Sequence, residues 1–200
     1  MQLLPLLLAS PLQGHIVSVY AGPMEHGSHI TSNKLPIGCP AADDYGATSV
    51  RKHVSFMKTF MFEELARRYS GRIRLSHVYP GLADGPGFYS DELPAWFRIV
   101  WRLSSPLRVW FMTAPAKCGM AMAYLIINHF PAKGMEVKGV KIAKSTNGEE
   151  GGGSYACGPQ GDAICRGPAY GRVRNNDVAQ SVWDHIMNAI SRTPGTRPAQ

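Results

Sequence analysis

Tyr45 heads a stretch whose residue types could move a proton. A phenol serves as a general acid only when its pKa, ordinarily near 10, is brought toward neutrality, and a nearby cation favours that ionisation. Four residues on, one helical turn away, stands Ser49 rather than a cation. Lys52 follows at the seventh position, and a rise of about 1.5 Å per residue sets it roughly 10 Å up the axis. Glu25, His26 and His29 form an H-x-x-H with a neighbouring carboxylate, a spacing metals accept. They fall in a run rich in Gly, Pro, Ser and Asn, whereas a catalytic metal wants ligands on rigid elements, so the stretch is read as a solvated loop and no metal is expected. Cys39, Cys118, Cys157 and Cys165 lack C-x-x-C spacing and are read as free thiols of an intracellular protein.

The elements that must position Tyr45 are legible around it. Val50, Val54, Met57, Met61 and Leu65 mark one face of a 3.6-residue period, predicting a helix over 46–69. Ser70-Gly71 stop it, and Arg72–Tyr79 is a strand that Pro80-Gly81 end, because proline cannot extend a ladder. Upstream, Leu3–Ser10 is the last part of a helix and His15–Tyr20 an apolar strand of the parallel kind. Downstream, Pro94–Arg102 and Leu107–Thr113 are helical pieces broken at Pro106. Thr113 is expected to cap a buried helix over 114–128. Gly148–Gly158 has the glycines of a phosphate-binding turn, but with no strand entering and no helix leaving it is read as a loop. Ser154–Cys165 suggests two short strands around a turn. Asn176 or Asp177 is expected to cap a last helix over 177–192, striped by Val178, Val182, Ile186 and Ile190.

This order resembles the second half of a short-chain dehydrogenase/reductase, and is most similar to fungal members serving secondary-metabolite pathways. The likeness rests on the spacing from Tyr45 through His53 to Glu63-Glu64-Leu65-Ala66 and Tyr79-Pro80-Gly81, with Val182-Trp183-Asp184-His185 in the last helix. It implies an α/β fold: a partial doubly wound, Rossmann-like parallel sheet lacking its N-terminal dinucleotide-binding half. It also implies NADP or NAD as cofactor, Tyr45 as the catalytic acid, and Ser49, Pro80 and Gly81 as cofactor-binding positions. The sequence departs from the family where a lysine should follow the tyrosine by four (Ser49), where a serine should end the first strand (Ala21), and where a threonine often follows Pro-Gly (Gly85). Ser18 and Tyr20 are candidate substitutes for the missing serine. In the family the aromatic region around Phe88, Tyr89, Trp96, Phe97, Trp101, Trp110 and Phe111 closes over the substrate.

Composition fits this picture. The 200 residues are 44% hydrophobic and only 18% charged, enough for one globular core. The net charge is +7, but the cations are scattered, which argues against a nucleic-acid partner and suits a phosphorylated cofactor. Arginines interrupt 95–113, and no window offers the roughly 20 apolar residues of a spanning helix, so a soluble, cytoplasmic protein without an integral membrane segment is expected.

The expected organisation is 1–130 as the Rossmann-like half, 131–153 as a mobile loop, 154–192 as a C-terminal extension with a short hairpin and helix, and 193–200 as a frayed tail. The function expected is an oxidoreductase acting on an apolar metabolite alcohol or ketone. An inactive remnant serving as a binding module, and an interfacial helix over 96–111, are the competing expectations.

Overall fold

The computed structural model describes residues 3–20, 30, 35–83, 85–164, 169–175 and 177–192. Ala21, Glu25, His26, His29, Cys165, Asn176 and the tail 193–200 lie outside the described residues, and the expectations attached to them go with them.

Helix α1 (Leu4–Ala9) leads into strand β1 (Gly14–Val19), and a short 3-10 turn (Ala42–Asp44) precedes the long helix α2 (Ala47–Arg68). Strand β2 (Ile73–Val78) follows, running parallel to β1 in register from Gly14 opposite Ile73 to Val19 opposite Val78. A third parallel strand, β5 (Ser154–Cys157), pairs with the other edge of β2, giving the order β1-β2-β5. The β1, α2 and β2 expectations therefore stand within a residue or two at their ends. The reading of Gly148–Gly158 as loop holds only up to Gly153: β5 is the first of the two short strands expected over 154–165, and Cys157 forms a single antiparallel bridge with Ala163. Gly153, at φ 82°, is the point of entry, and a Cβ there would press on the Lys133 backbone nitrogen and on Ala66. The chain enters the sheet through a gap only glycine fits.

Alternation along β2 sorts the core. Ile73 and Leu75 pack with Phe62, Leu65, Ala66 and Trp183 on the side of α2, and His77 meets Phe62 edge-on at 6.3 Å. On the opposite side, Val78 joins Leu125, Phe130, Ala143, Tyr155 and Cys157. Helix α6 (Val178–Arg192) lies against α2, burying Val178 and Val182 with Phe56, Phe60 and Tyr170. The side chain that satisfies its first N–H groups is Asn175, whose Oδ1 accepts the backbone N–H groups of Asp177 at 3.2 Å and Val178 at 3.0 Å. Arg174, paired with the half-buried Glu63 of α2, fixes the same corner, and the Thr146 hydroxyl donates to Glu63 at 2.6 Å.

The parallel α/β core is thus present. Helices α2 and α6 cover one face, while the other is covered by the turn-rich 125–143, so the described elements hold no full second helical layer there. The polar stretch 131–153 runs back over the sheet, burying Pro131, Ala132, Ala143, Ser145 and Thr146.

Between β2 and β5, strands β3 (Leu82–Ala83) and β4 (Met112–Thr113) pair parallel, with a 3-10 turn (Pro86–Tyr89) and helices α3 (Ala95–Leu103) and α4 (Ser105–Phe111) between them. The break between these helices falls at Ser104, and Pro106 sits in the first turn of α4, where its missing N–H costs nothing. Helix α5 (Pro115–Tyr124) is shorter than expected, and Thr113 is a strand residue, not its cap. The predicted extension to residue 128 fails because buried Arg74 of β2 takes the carbonyls of Ile126, Ile127 and Phe130 at 2.7–3.2 Å, holding that stretch in turns. Nor is α5 buried all round, since only Ala121 is.

Candidate functional site

Helix α2 runs antiparallel to the strands. Arg51 in its first turns lies over the Tyr79 ring at 5.8 Å, just past the end of β2, while Phe62 reaches His77 and Ala66 reaches Gly153 at the start of β5. The beginning of α2 therefore stands at the carboxyl ends of the strands, the end at which open parallel sheets bind ligands. Tyr45 and Pro80-Gly81 both belong to this end.

Tyr45 follows the 3-10 turn, its backbone N–H on the Ala42 carbonyl at 3.3 Å, and its side chain is 68% exposed. Ser49 is committed elsewhere: its hydroxyl donates to the Asp44 carboxylate at 3.0 Å. Pro80 is half-buried, and Gly81 adopts φ 80°. A Cβ on Gly81 would overlap the Thr113 Oγ1 and touch Pro159 at 3.4 Å. The turn after β2 is thereby clamped between β4 and the turn after β5.

Those two clamping residues line a cleft of about 550 Å³, completed by Met112, Lys117, Met120, Ala121, Tyr124 and Gln160. Two thioethers, a tyrosine ring, an alanine and a proline make an apolar wall, and Thr113, Lys117 and Gln160 supply the polar groups. This is the composition of a small-molecule site. Tyr45 is not among the lining residues, so the structure joins Gly81 to the cleft and leaves Tyr45 and Ser49 outside it.

A second group was not legible as such. Lys58 of α2 donates to the Ser18 hydroxyl at 2.9 Å and stands 4.7 Å from the centre of the Tyr20 ring. Tyr20 in turn stacks on His77, with ring centres 6.4 Å apart and planes within 5°. Burial, and then the Lys58 charge, push His77 down to about 3. On the other face of the sheet, His15 hydrogen-bonds Ser76 at 3.0 Å. Burial, and then Arg74, push it down to about 4. Both rings are neutral at pH 7. Ser18 and Tyr20 are thus held by Lys58 and His77. The signal for Lys58 was its position, a cation on the apolar stripe between Val54 and Met61. Nothing in the sequence linked Thr113 and Pro159 to Gly81.

The aromatic region that in the family closes over the substrate makes its ring contacts here within itself. Phe88 stacks on Trp101 at 4.3 Å, Phe97 on Trp101 at 5.8 Å, and the Arg108 guanidinium bonds the Tyr89 hydroxyl at 2.6 Å. Cys39, Cys118 and Cys157 are free thiols. Among the described residues, no cluster of three or more metal-ligating side chains occurs, and no helix is long and apolar enough to cross a membrane.

A dinucleotide's diphosphate needs a glycine-rich turn leading from a strand into a helix N-terminus. The described turns do not fit it. Gly148–Gly158 leads into and out of a strand, and the space a Cβ would fill at Gly81 is taken by Thr113 and Pro159.

No family model matches the chain, and no solved structure matches it. The Short-chain dehydrogenase/reductase SAT2 of Stachybotrys chartarum (strain CBS 109288 / IBT 7711) is 43% identical to it over 195 residues, which cover 95% of this chain and 54% of that protein. The chain therefore spans about half the length of the curated relative it matches.

Proposed function

The chain belongs to the short-chain dehydrogenase/reductase family, and from that premise we propose that it is part of an oxidoreductase that interconverts an apolar metabolite alcohol and ketone with NADP(H) in a secondary-metabolite pathway. The observation that carries this reading is the cleft at the carboxyl end of the sheet, walled by Met112, Met120, Ala121 and Pro159 and joined to β2 through Gly81. An alcohol or ketone with an apolar body suits such a wall, and Thr113 and Gln160 can orient its oxygen.

Nicotinamide supplies hydride chemistry when bound, and Pro80 and Gly81 are the positions proposed beside it. No described residue cradles a diphosphate, so no step is assigned to the dinucleotide on this chain. On this reading the cleft holds the apolar body of the ligand, and Tyr45, at the same end of the sheet but outside the cleft lining, is the proton donor. Ser49, bonded to Asp44, is a weaker anchor for a ribose than the family's lysine. The net charge of +7 favours the extra phosphate of NADP over NAD.

The exposure of Tyr45 and the engagement of Ser49 favour a second reading, a catalytically inactive binding module that keeps the cleft. Rates of NADPH oxidation with a quinone or ketone between about pH 6 and 10 separate the two. On the enzymatic reading, Tyr45→Phe abolishes turnover, and Ser49→Lys raises it by restoring a cation one turn from the phenol. Full activity in Tyr45→Phe rules out the proposed proton donor. Ligand binding in the cleft without NADPH oxidation selects the binding module.

A further inference from the structure

Helix α3 carries two apolar faces. On one, Trp101 stacks on Phe88 and Phe97 stacks on Trp101. Trp96, Ile99, Val100 and Leu103, at the i, i+3, i+4, i+7 spacing of a single stripe, are all exposed, Trp96 to 66% and Leu103 to 74%. Leu107 and Trp110 of α4 extend the exposed set, Trp110 to 87%. A surface helix ordinarily turns its apolar stripe toward the core, and isolated exposed side chains need no explanation. A whole stripe turned outward, continued on the next helix, does.

Charge indicates what this face meets. From Leu93 to Met135 the chain carries Arg98, Arg102, Arg108, Lys117 and Lys133 and not one Asp or Glu. Arg98 reaches back to Asp91 before that run, at 2.5 Å, while Arg102 lies exposed beside the apolar stripe. Exposed tryptophans, aliphatic side chains and arginines with no carboxylate among them are the composition of a helix lying in the plane of a bilayer. The indole rings sit at headgroup depth and the cations meet anionic lipid. Neither helix is long enough to span, which agrees with contact along the surface.

We propose that α3 and α4 form a membrane-surface contact that seats Trp96, Ile99, Val100, Leu103, Leu107 and Trp110 in the interface of an anionic lipid bilayer. The contact is independent of the oxidoreductase reading. It would carry the mouth of an apolar-ligand cleft, which begins at Met112 directly after α4, to the phase in which apolar compounds dissolve.

The test is co-sedimentation with phosphatidylcholine vesicles with and without about a quarter phosphatidylserine, with tryptophan emission followed alongside. The expected result is partitioning onto the anionic vesicles with a blue shift of emission, weakened as salt shortens the Debye length from about 10 Å at 0.1 M to about 3 Å at 1 M. Arg102→Gln should lower partitioning about fivefold on anionic vesicles and leave the neutral ones unaffected, the effect of one interfacial cation. Trp96→Ser/Leu103→Ser should lose it by tenfold or more. These side chains are exposed, so circular dichroism should show every variant folded. Absence of binding to anionic vesicles overturns the proposal, as does wild-type binding by the double variant. A concentration-dependent dimer that the same double variant dissolves, without vesicle binding, assigns the face to a second copy instead and overturns it too.

Discussion

Gly81→Ala is the substitution that tests how the turn after β2 is joined to the cleft. Two separable costs are expected. The backbone at φ 80° lies in the left-handed region, where any residue with a Cβ pays about 1–2 kcal/mol. The new methyl also overlaps the Thr113 Oγ1, while meeting Pro159 only at ordinary contact distance, an overpacking worth about 1–3 kcal/mol. Together they remove about 2–5 kcal/mol from a domain whose whole stability is on the order of 5–15 kcal/mol. Thr113→Ala alone removes a half-buried hydroxyl and methyl and should cost about 1 kcal/mol or less. In the double variant the clash is gone but the left-handed backbone remains, so a favourable coupling of about 1–3 kcal/mol is expected. Urea unfolding of the four proteins, with a common slope, gives the cycle. Strict additivity would show that Thr113 does not sit on Gly81. A harmless Gly81→Ala would refute the left-handed turn itself.

Acid should destabilise the fold through two imidazoles, the buried His77 and the half-buried His15. Their folded pKa values, about 3 for His77 and about 4 for His15, lie below the unfolded value of about 6.5, so stability is fully present above pH 6.5 and is lost as pH falls toward 4. Between pH 7.5 and 5 the loss is about 2 kcal/mol for His77 and about 1–2 kcal/mol for the less buried His15. Urea midpoints across that range should flatten in His15→Gln, and a wild-type curve flat from pH 7.5 to 5 would contradict both assignments. Asn175→Ala should cost about 1 kcal/mol by leaving the Asp177 and Val178 N–H groups without their cap, whereas Asn175→Asp should keep most of the stability. Equal loss in both, read by thermal unfolding, would mean the cap is not what matters there.

What the sequence alone determined was local and periodic. The apolar period from Val50 to Leu65 marked α2, although the face α2 buries is carried by Phe56, Phe60, Phe62 and Ala66 together with Leu65. The apolar runs specified β1 and β2, and the stripe from Val178 to Ile190, buried at Val178 and Val182, specified α6. Tyr45 at the head of α2, and Pro80-Gly81 at the end of β2, were likewise readable, since both mark element ends. Tertiary structure decided what depends on partners distant in the chain. A short strand beginning at Ser154 was readable in the sequence, but its place was not: it joins the main sheet because the free edge of β2 accepts its hydrogen bonds. Helix α5 stops at Tyr124 because a strand arginine claims the carbonyls beyond it, a contact more than 50 positions away. Ser49 lost its expected freedom to Asp44, and Lys58 acquired its partners from β1 and the residue after it, through side-chain geometry that residue types do not encode. The cleft belongs wholly to this second class. Its walls come from β4, α5 and the turn after β5, and only the packing of Gly81 against Thr113 and Pro159 brings them to the end of the sheet.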